Sequence, residues 1–446
     1  MTAVSYDFAV LGDTQPEGLL VASGLVRKGF SVTIVPSSML EEMPGDEMFP
    51  TLFPTQAGGR KVDDLLFRAG FFRLEDSGLV SESLAWQFVF PKNRLTFEGS
   101  FDQWQPEFER EFPLAVKALE RGFSQIKKSG SNRAIIRKVA QDLIDLEKSD
   151  PSFTRWLKTS IEAILQPMYS ASPQQWRRSV QRWVEMVISH PGKVYRVDPK
   201  LKSPYHSFLV EHARKWGVQI QKDPFLLKAG WSQFQISPEN RARHLILNSV
   251  GARRIYSRTH GHGLSERLDS WLYLDRVECS LSLVPEPLKE FCYLEEGRLL
   301  HVKRDPLRDE ALLSLGTWLP FEDSKSWAMR IEKGRAALQK LIPFLPANLF
   351  RSIPTLLELT EMRGECVRRG QVERLQPGEI PNSTGRSFMR WITRANRRPG
   401  LVARRVFSLS PHDHLYRNRM SSFEASLALL DHFDERRKGL RPQSLF

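Results

Sequence analysis

The apolar positions between Tyr6 and Val35 change period twice. Tyr6 to Leu11 is a short apolar run closed by Gly12, as expected of a buried parallel strand. From Pro16 to Lys28 the apolar or small residues Leu19, Leu20, Ala22, Ser23, Leu25 and Val26 recur at helical spacing, and Gly29 stops that helix. Ser31 to Val35 is a second β-branched run. Strand, tight turn, helix and strand make a βαβ unit, whose crossover is right-handed almost without exception.

Further along, Phe108 to Glu147 reads as helices rich in Lys and Glu, interrupted at Ser129-Gly130-Ser131. Thr154–Leu165 and Gln174–Ile188 read as two more, before a break at His190-Pro191-Gly192. In the second, Trp176, Val180, Trp183, Val184 and Val187 share one face. Such a stripe is core, with a lid over an apolar cavity as the functional alternative. Strands dominate from Trp271 to Leu319, and Ser324–Leu341 is a basic amphipathic helix ended by Pro343 and Pro346.

The turn after the first strand carries the most chemistry. A nucleotide-binding unit places G-x-G-x-x-G there, so that backbone approaches a diphosphate closely, and an acid after the second strand holds a ribose hydroxyl. Gly12 fits the first glycine and Gly18 the last, but five residues, Asp13 to Glu17, lie between them where the pattern allows four. The middle glycine is missing, and Pro36 follows the second strand where the acid would stand. Thr14-Gln15-Pro16-Glu17 instead reads as a capping box, with Thr14 as N-cap and Glu17 reaching back to it. Pro16 suits a first turn, whose amides have no helical partner. The helix N-terminus is therefore expected to carry its own anion where a phosphate would otherwise bind. Asp13 adds a second carboxylate. Two like charges about 4 Å apart repel by about 4 kcal/mol at a surface-like effective dielectric, a sign that opposes a bound diphosphate.

Length changes the picture little: 446 residues suggest two or three domains. The apolar fraction of 41% fits a globular chain and excludes collagen-like, coiled-coil and wholly disordered classes. No apolar run approaches the roughly 20 residues that span a bilayer. The opening MTAVSYDFAVLGD does not read as a signal peptide. The three cysteines, Cys279, Cys292 and Cys366, are widely spaced and odd in number, which points to a reducing compartment rather than a disulfide framework. A cytoplasmic protein is expected. The 65 Lys and Arg against 52 Asp and Glu give +13, which favours anionic partners without naming one.

The order of segments resembles the flavin-dependent phytoene-desaturase and amine-oxidase superfamily. YDFAVLG…GLLVASGLVRKGFSVTIV is similar in frame to that family's opening. Leu65–Phe72 resembles the helix after its first βαβ unit, and Trp86–Pro113 its strand pair and acidic helix. Ser207–Asp223 and Arg241–Ser249 resemble its helix, strand and returning nucleotide-domain strand. The resemblance implies an α/β fold: a discontinuous FAD/NAD(P)-binding Rossmann-type domain with a mixed α+β substrate-like domain and a helical insertion. The implied boundaries are 1–85, 241–258 and 400–446 for the first domain. The substrate-like domain takes 86–240 and 259–345, its insertion about 108–190, and a basic connecting segment takes 346–399.

The same resemblance implies FAD, bound through Gly12, Thr14, Gly18, Pro36 and Ser410, and these positions depart from its pattern. Lys200–Tyr205 lacks a glycine pair. Ser410-Pro411 stands at a glycine-acid position, and Arg419-Met420-Ser421-Ser422 replaces small glycines before a helix from Phe423 to Phe433. Gly58-Gly59-Arg60 reads as a turn before a helix, with a cofactor contact as the alternative. With three cofactor elements altered, the expectation is a protein without ordinary flavin binding, retained to bind a protein, membrane or apolar ligand. The competing expectation is an active FAD oxidoreductase with an atypical turn acting on an apolar substrate.

Arg386–Arg405 contains seven arginines and no acid. Arg386, Arg390, Trp391, Arg394, Arg397 and Arg398 suit a protein partner or an anionic membrane surface, with a solvated face as the plain alternative. Nucleic acid is disfavoured because no recognised nucleic-acid fold signature accompanies them. His260 and His262 lack a nearby third ligand, so a metal is not expected. Pro411-His412-Asp413-His414 is a polar cluster without an identifiable nucleophile, so no catalytic residue is assigned.

Overall fold

The computed structural model describes the chain except residues 1–3, 14, 37–51, 58–59, 84, 130–132, 148, 166–175, 178, 182, 185–186, 188–192, 223–224, 231, 249–251, 253–269, 321–325, 351–371, 374–400, 404–405, 410–422, 424 and 435–446. The opening βαβ unit forms as its periodicity predicts: β1 (Val4–Leu11), α1 (Pro16–Arg27) and β2 (Val32–Val35), with β1 and β2 parallel. On the other side β1 pairs in parallel with β13 (Asn240–Leu247), from Val4↔Asn240 to Leu11↔Leu247. Alternate residues leave this sheet on opposite sides. Phe8, Val10, Ile34 and Ile246 face the helical layer, while Ala9, Leu11, Val35, Leu245 and Leu247 enter a second core with Phe234, Ile236 and Val406. All of these are buried, which explains why β1 reads as a continuous apolar run.

Next in the chain, β3 (Leu52–Pro54) precedes a short hairpin of β4 (Gln56–Ala57) and β5 (Arg60–Lys61), and α2 (Asp63–Ala69) follows. β6 (Leu79–Ser83) and β3 flank β9 (Lys193–Val197) in a three-stranded sheet. A seven-stranded mixed sheet forms the second body. It runs β18-β14-β17-β16-β15-β7-β8, with β7 Ala85–Val89, β8 Arg94–Glu98, β14 Ser270–Ser280, β15 Phe291–Leu294, β16 Arg298–Asp305, β17 Glu310–Pro320 and β18 Val372–Glu373.

One face of that sheet packs Trp86, Phe88, Phe97, Phe291 and Leu299 against the helical insertion. The insertion contributes α3 (Phe101–Glu111), α4 (Pro113–Ser129), α5 (Arg133–Asp145), α6 (Pro151–Leu165) and helical residues within 176–187. Of the predicted stripe, Val180, Trp183, Val184 and Val187 are buried there and Trp176 packs against them partly buried, so the stripe is core.

One expected boundary moves. Residues 205–240 were assigned to the substrate-like domain, yet they complete the first sheet. α7 (Tyr205–Lys215) packs in the helical core beside α1, and β10 (Gln219–Ile220) pairs in parallel with β2. β11 (Lys228–Ala229) and β12 (Phe234–Gln235) add antiparallel pairing along the first half of β13. α8 (Trp327–Leu341) covers the other face of the large sheet through Leu338 and Ile342 beside Leu313 and Leu315.

The chain ends return to its beginning. β19 (Leu401–Ala403) pairs with β20 (Val406–Ser408), which lies parallel to β13. The helical residues 425–434 then cover the start of the fold. The Phe433 ring meets Phe8 edge-on at 4.7 Å, and Lys28 donates to Leu430 O at 2.9 Å and pairs with Asp434 at 2.6 Å. Arg68 of α2 pairs with Asp431 at 2.6 Å.

Candidate functional site

In the first sheet the chain leaves β1 toward β2 on one side and meets β13 on the other. This is the point at which open α/β sheets bind ligands, beyond the carboxyl ends of their strands. Three strand ends converge here. The Gly12 amide donates to Val35 O at 2.9 Å, and the Asn248 amide donates to Leu11 O at 2.9 Å. Gly12 has φ +92°, a value at which a side chain would be strained, so the glycine is a requirement of the turn.

Asn248 fills the crevice. Its side chain, in a fully buried residue, donates from Nδ2 to Gly12 O and to Gln15 O, both at 3.0 Å. The reverse orientation of the amide would set Oδ1 against two carbonyl oxygens, so these two bonds fix which way it points. Oδ1 is left buried without a hydrogen-bond partner among the described residues. Gly18 is what makes room: a Cβ there would lie 2.2 Å from Asn248 Nδ2 and 2.3 Å from its Cγ.

The helix begins differently from the expected capping box. The N-cap is Gln15, with no side-chain cap bond, Pro16 is the first helical residue and Glu17 the second. Proline's fixed φ suits that first position, which moves the cap one residue past Thr14. Thr14 itself lies outside the described residues. Glu17 is nonetheless only 1% exposed, so a carboxylate is buried in the first turn. Asp13 was expected to add a second negative charge. Instead it meets His206 of α7 at 3.4 Å, a pairing that offsets that charge when the ring is protonated.

The hydrogen bond to Asp13, working against burial, raises the His206 pKa above the ordinary histidine value. A raised pKa means that the pair stabilises the fold below the ordinary histidine pKa and stops doing so as pH rises through the folded-state value. Asp13→Asn is expected to lower the His206 ring-proton titration, followed by NMR, because burial then acts unopposed; an unchanged titration would show that Asp13 is not its partner.

Of the positions assigned from the resemblance, Gly12 and Gly18 thus meet at one crevice. Pro36 follows β2 and is half-buried. Ser410 lies outside the described residues, as do Gly58 and Gly59, the histidines 260, 262, 412 and 414, and Arg386, Arg390, Trp391, Arg394, Arg397 and Arg398. The sequence reading missed Asn248 and His206. Among the described residues no three His, Cys, Asp or Glu side chains are grouped to hold a metal, and no helix is long and apolar enough to cross a membrane.

A second polar cluster joins the three-stranded sheet to the seven-stranded one. Arg196 of β9 donates two hydrogen bonds to Glu290, at 2.7 and 2.6 Å, and its Nε lies 2.7 Å from Glu82. His301 Nε2 lies 3.3 Å from Glu290 on the other side. Burial alone would raise the Glu290 pKa, but the hydrogen bonds from His301 and Arg196 outweigh it and pull it down to about 2. Cys292 beside it is inert as a nucleophile, because burial pushes its thiol up to about 12.

By sequence the chain matches no family model and no curated protein. By structure it is similar to cyclohexylamine oxidase from Brevibacterium oxydans, with TM-score 0.50 and 15% identity, over 96% of this chain and 99% of that one. It is similar also to putrescine oxidase bound to putrescine, with TM-score 0.50 and 12% identity, over 97% and 100% of the two chains. The fold of this chain is that of these two oxidases.

Proposed function

We propose that this oxidoreductase-fold protein has lost ordinary FAD binding and acts as a non-catalytic binding or scaffold protein. One observation carries the reading: the Asn248 carboxamide occupies the crevice, its donors spent on the loop's own carbonyls. A diphosphate needs convergent N–H donors and a helix N-terminus free of other anions. Pro16 has no amide to give, and the Glu17 carboxylate is buried in the same turn. The residues at this turn therefore do not fit a diphosphate.

Purified protein is expected to be colourless, without flavin absorbance near ~450 nm. FAD or ADP should leave its melting temperature unchanged, since a ligand that binds only the folded state raises it. Stoichiometric flavin in the purified protein would end this reading. It would favour the alternative, an active FAD-dependent oxidoreductase or desaturase on an apolar substrate, which the full-length likeness in fold recommends.

The +13 charge and the arginine-rich stretch of Arg386, Arg390, Trp391, Arg394, Arg397 and Arg398 recommend a protein partner or an anionic membrane surface. Pelleting with phosphatidylserine vesicles at low salt that is lost at high salt supports the membrane; no pelleting at low salt removes it.

A further inference from the structure

The carboxamide of Asn248 is held unusually tightly for a residue just beyond a strand. It has two backbone acceptors on a loop more than 230 positions earlier, no exposed surface, and a glycine opposite with no space for a methyl group. Its oxygen has no partner among the described residues, although buried polar atoms usually find one. The side chain is thus incompletely satisfied in itself and well matched to the loop it spans.

We propose that Asn248 is the specificity-determining residue of this crevice: its carboxamide latches the β1–α1 loop shut against diphosphate-bearing ligands, and the loop accepts them once the latch is removed. This rests on the reading of lost FAD binding and deepens it. Three features of the chain argue for it. The strand order is still that of a ligand-binding switch point. Gly12 and Gly18 still give the backbone its close approach. Beyond Pro16, the first turn of α1 still has main-chain amides without helical partners. What opposes an anion, beyond the amide that Pro16 lacks, is two side chains: the Asn248 carboxamide, which fills the space, and Glu17, whose carboxyl group is buried in the same turn. Asp13 is paired with His206 of α7, and that pair reports where the loop lies.

The test is calorimetric titration of ADP, with AMP as a control lacking the diphosphate, into the unchanged chain, Glu17→Gln, and Glu17→Gln/Asn248→Ala. The double variant is expected to bind ADP at least tenfold more tightly than either of the others, and AMP no more tightly. In the Asn248→Ala single variant the His206 ring titration is expected to move toward the ordinary histidine range as Asp13 is released, an effect that a packing role alone would not produce. A folded double variant whose ADP affinity stays within twofold of the unchanged chain overturns the assignment to Asn248 and leaves the flavin reading standing. Tight ADP binding by the unchanged chain overturns both. If alanine at 248 prevents folding, Asn248→Ser, which keeps one donor, is put through the same titrations in the Glu17→Gln background and judged by the same thresholds.

Discussion

Gly18→Ala is expected to lower the unfolding free energy by about 3 kcal/mol, a large loss for one methyl group. The new Cβ would lie 2.2 Å from Asn248 Nδ2, and neither side of that contact can yield cheaply. Gly18 belongs to the first turn of a buried helix, and Asn248 is held at 3.0 Å to both Gly12 O and Gln15 O. Relief requires expelling the carboxamide, which strands two buried carbonyls, or shifting α1 out of its core. The partner change gives the argument its test. Asn248→Ala vacates the space that the methyl needs, so Gly18→Ala/Asn248→Ala should be more stable than the two single losses added together, by about 1–2 kcal/mol of coupling. Urea unfolding of the four proteins measures this, and simple additivity would show that the two side chains do not compete for one space.

Arg196→Met is expected to cost about 3 kcal/mol at neutral pH. Breaking a buried pair costs about 3–5 kcal/mol, and the quarter exposure of the Glu290 side chain places this one at the low end. The loss has a pH signature. The Glu290 pKa, ordinarily 4.5, lies at about 2 in the folded chain, and such a depressed pKa contributes stability above the unfolded value. That contribution is fully present above about pH 4.5 and fades as pH falls through about 2. The stability gap between the natural chain and Arg196→Met should therefore be widest near pH 7 and narrow steadily below pH 4.5. Urea midpoints at pH 7, 4.5 and 2.5 follow it, and a gap of constant size would place the effect in packing instead of charge.

The first βαβ unit was legible in the sequence because Phe8–Leu11 of β1 form an unbroken buried run and the apolar and small residues of α1 recur at helical spacing, so each left a clear signal. A returning strand near Arg241 was legible only through the order of segments; its pairing with β1 comes from the structure. The boundary near residue 205 was not. β10 is two residues long and carries no period, so only its pairing with β2 reveals which sheet it serves. At the crevice, the spacing of Thr14 and Glu17 suggested a capping box, but proline's preference for the first helical position set the start of α1 one residue later. The acidic residue of that turn was still readable, and the structure buries it. Asn248 left no signal, because a lone asparagine after a strand is ordinary. Its role depends on the two carbonyls and the glycine that the fold brings to it across the sheet. His206 is hidden for the same reason, standing 193 positions from its partner Asp13.

The meeting of segments so far apart in the sequence sets a constraint on how this protein comes into being. β1 leaves the ribosome long before the strand beside β13 and the phenylalanine that closes over Phe8. Until then the apolar side of the opening sheet stays partly uncovered, while the aromatic insertion, whose helices are contiguous from α3 to α6, has most of its own core already at hand. Assembly thus runs against the order of these segments: the aromatic insertion can set before the opening sheet, which waits for strand β20 and Phe433.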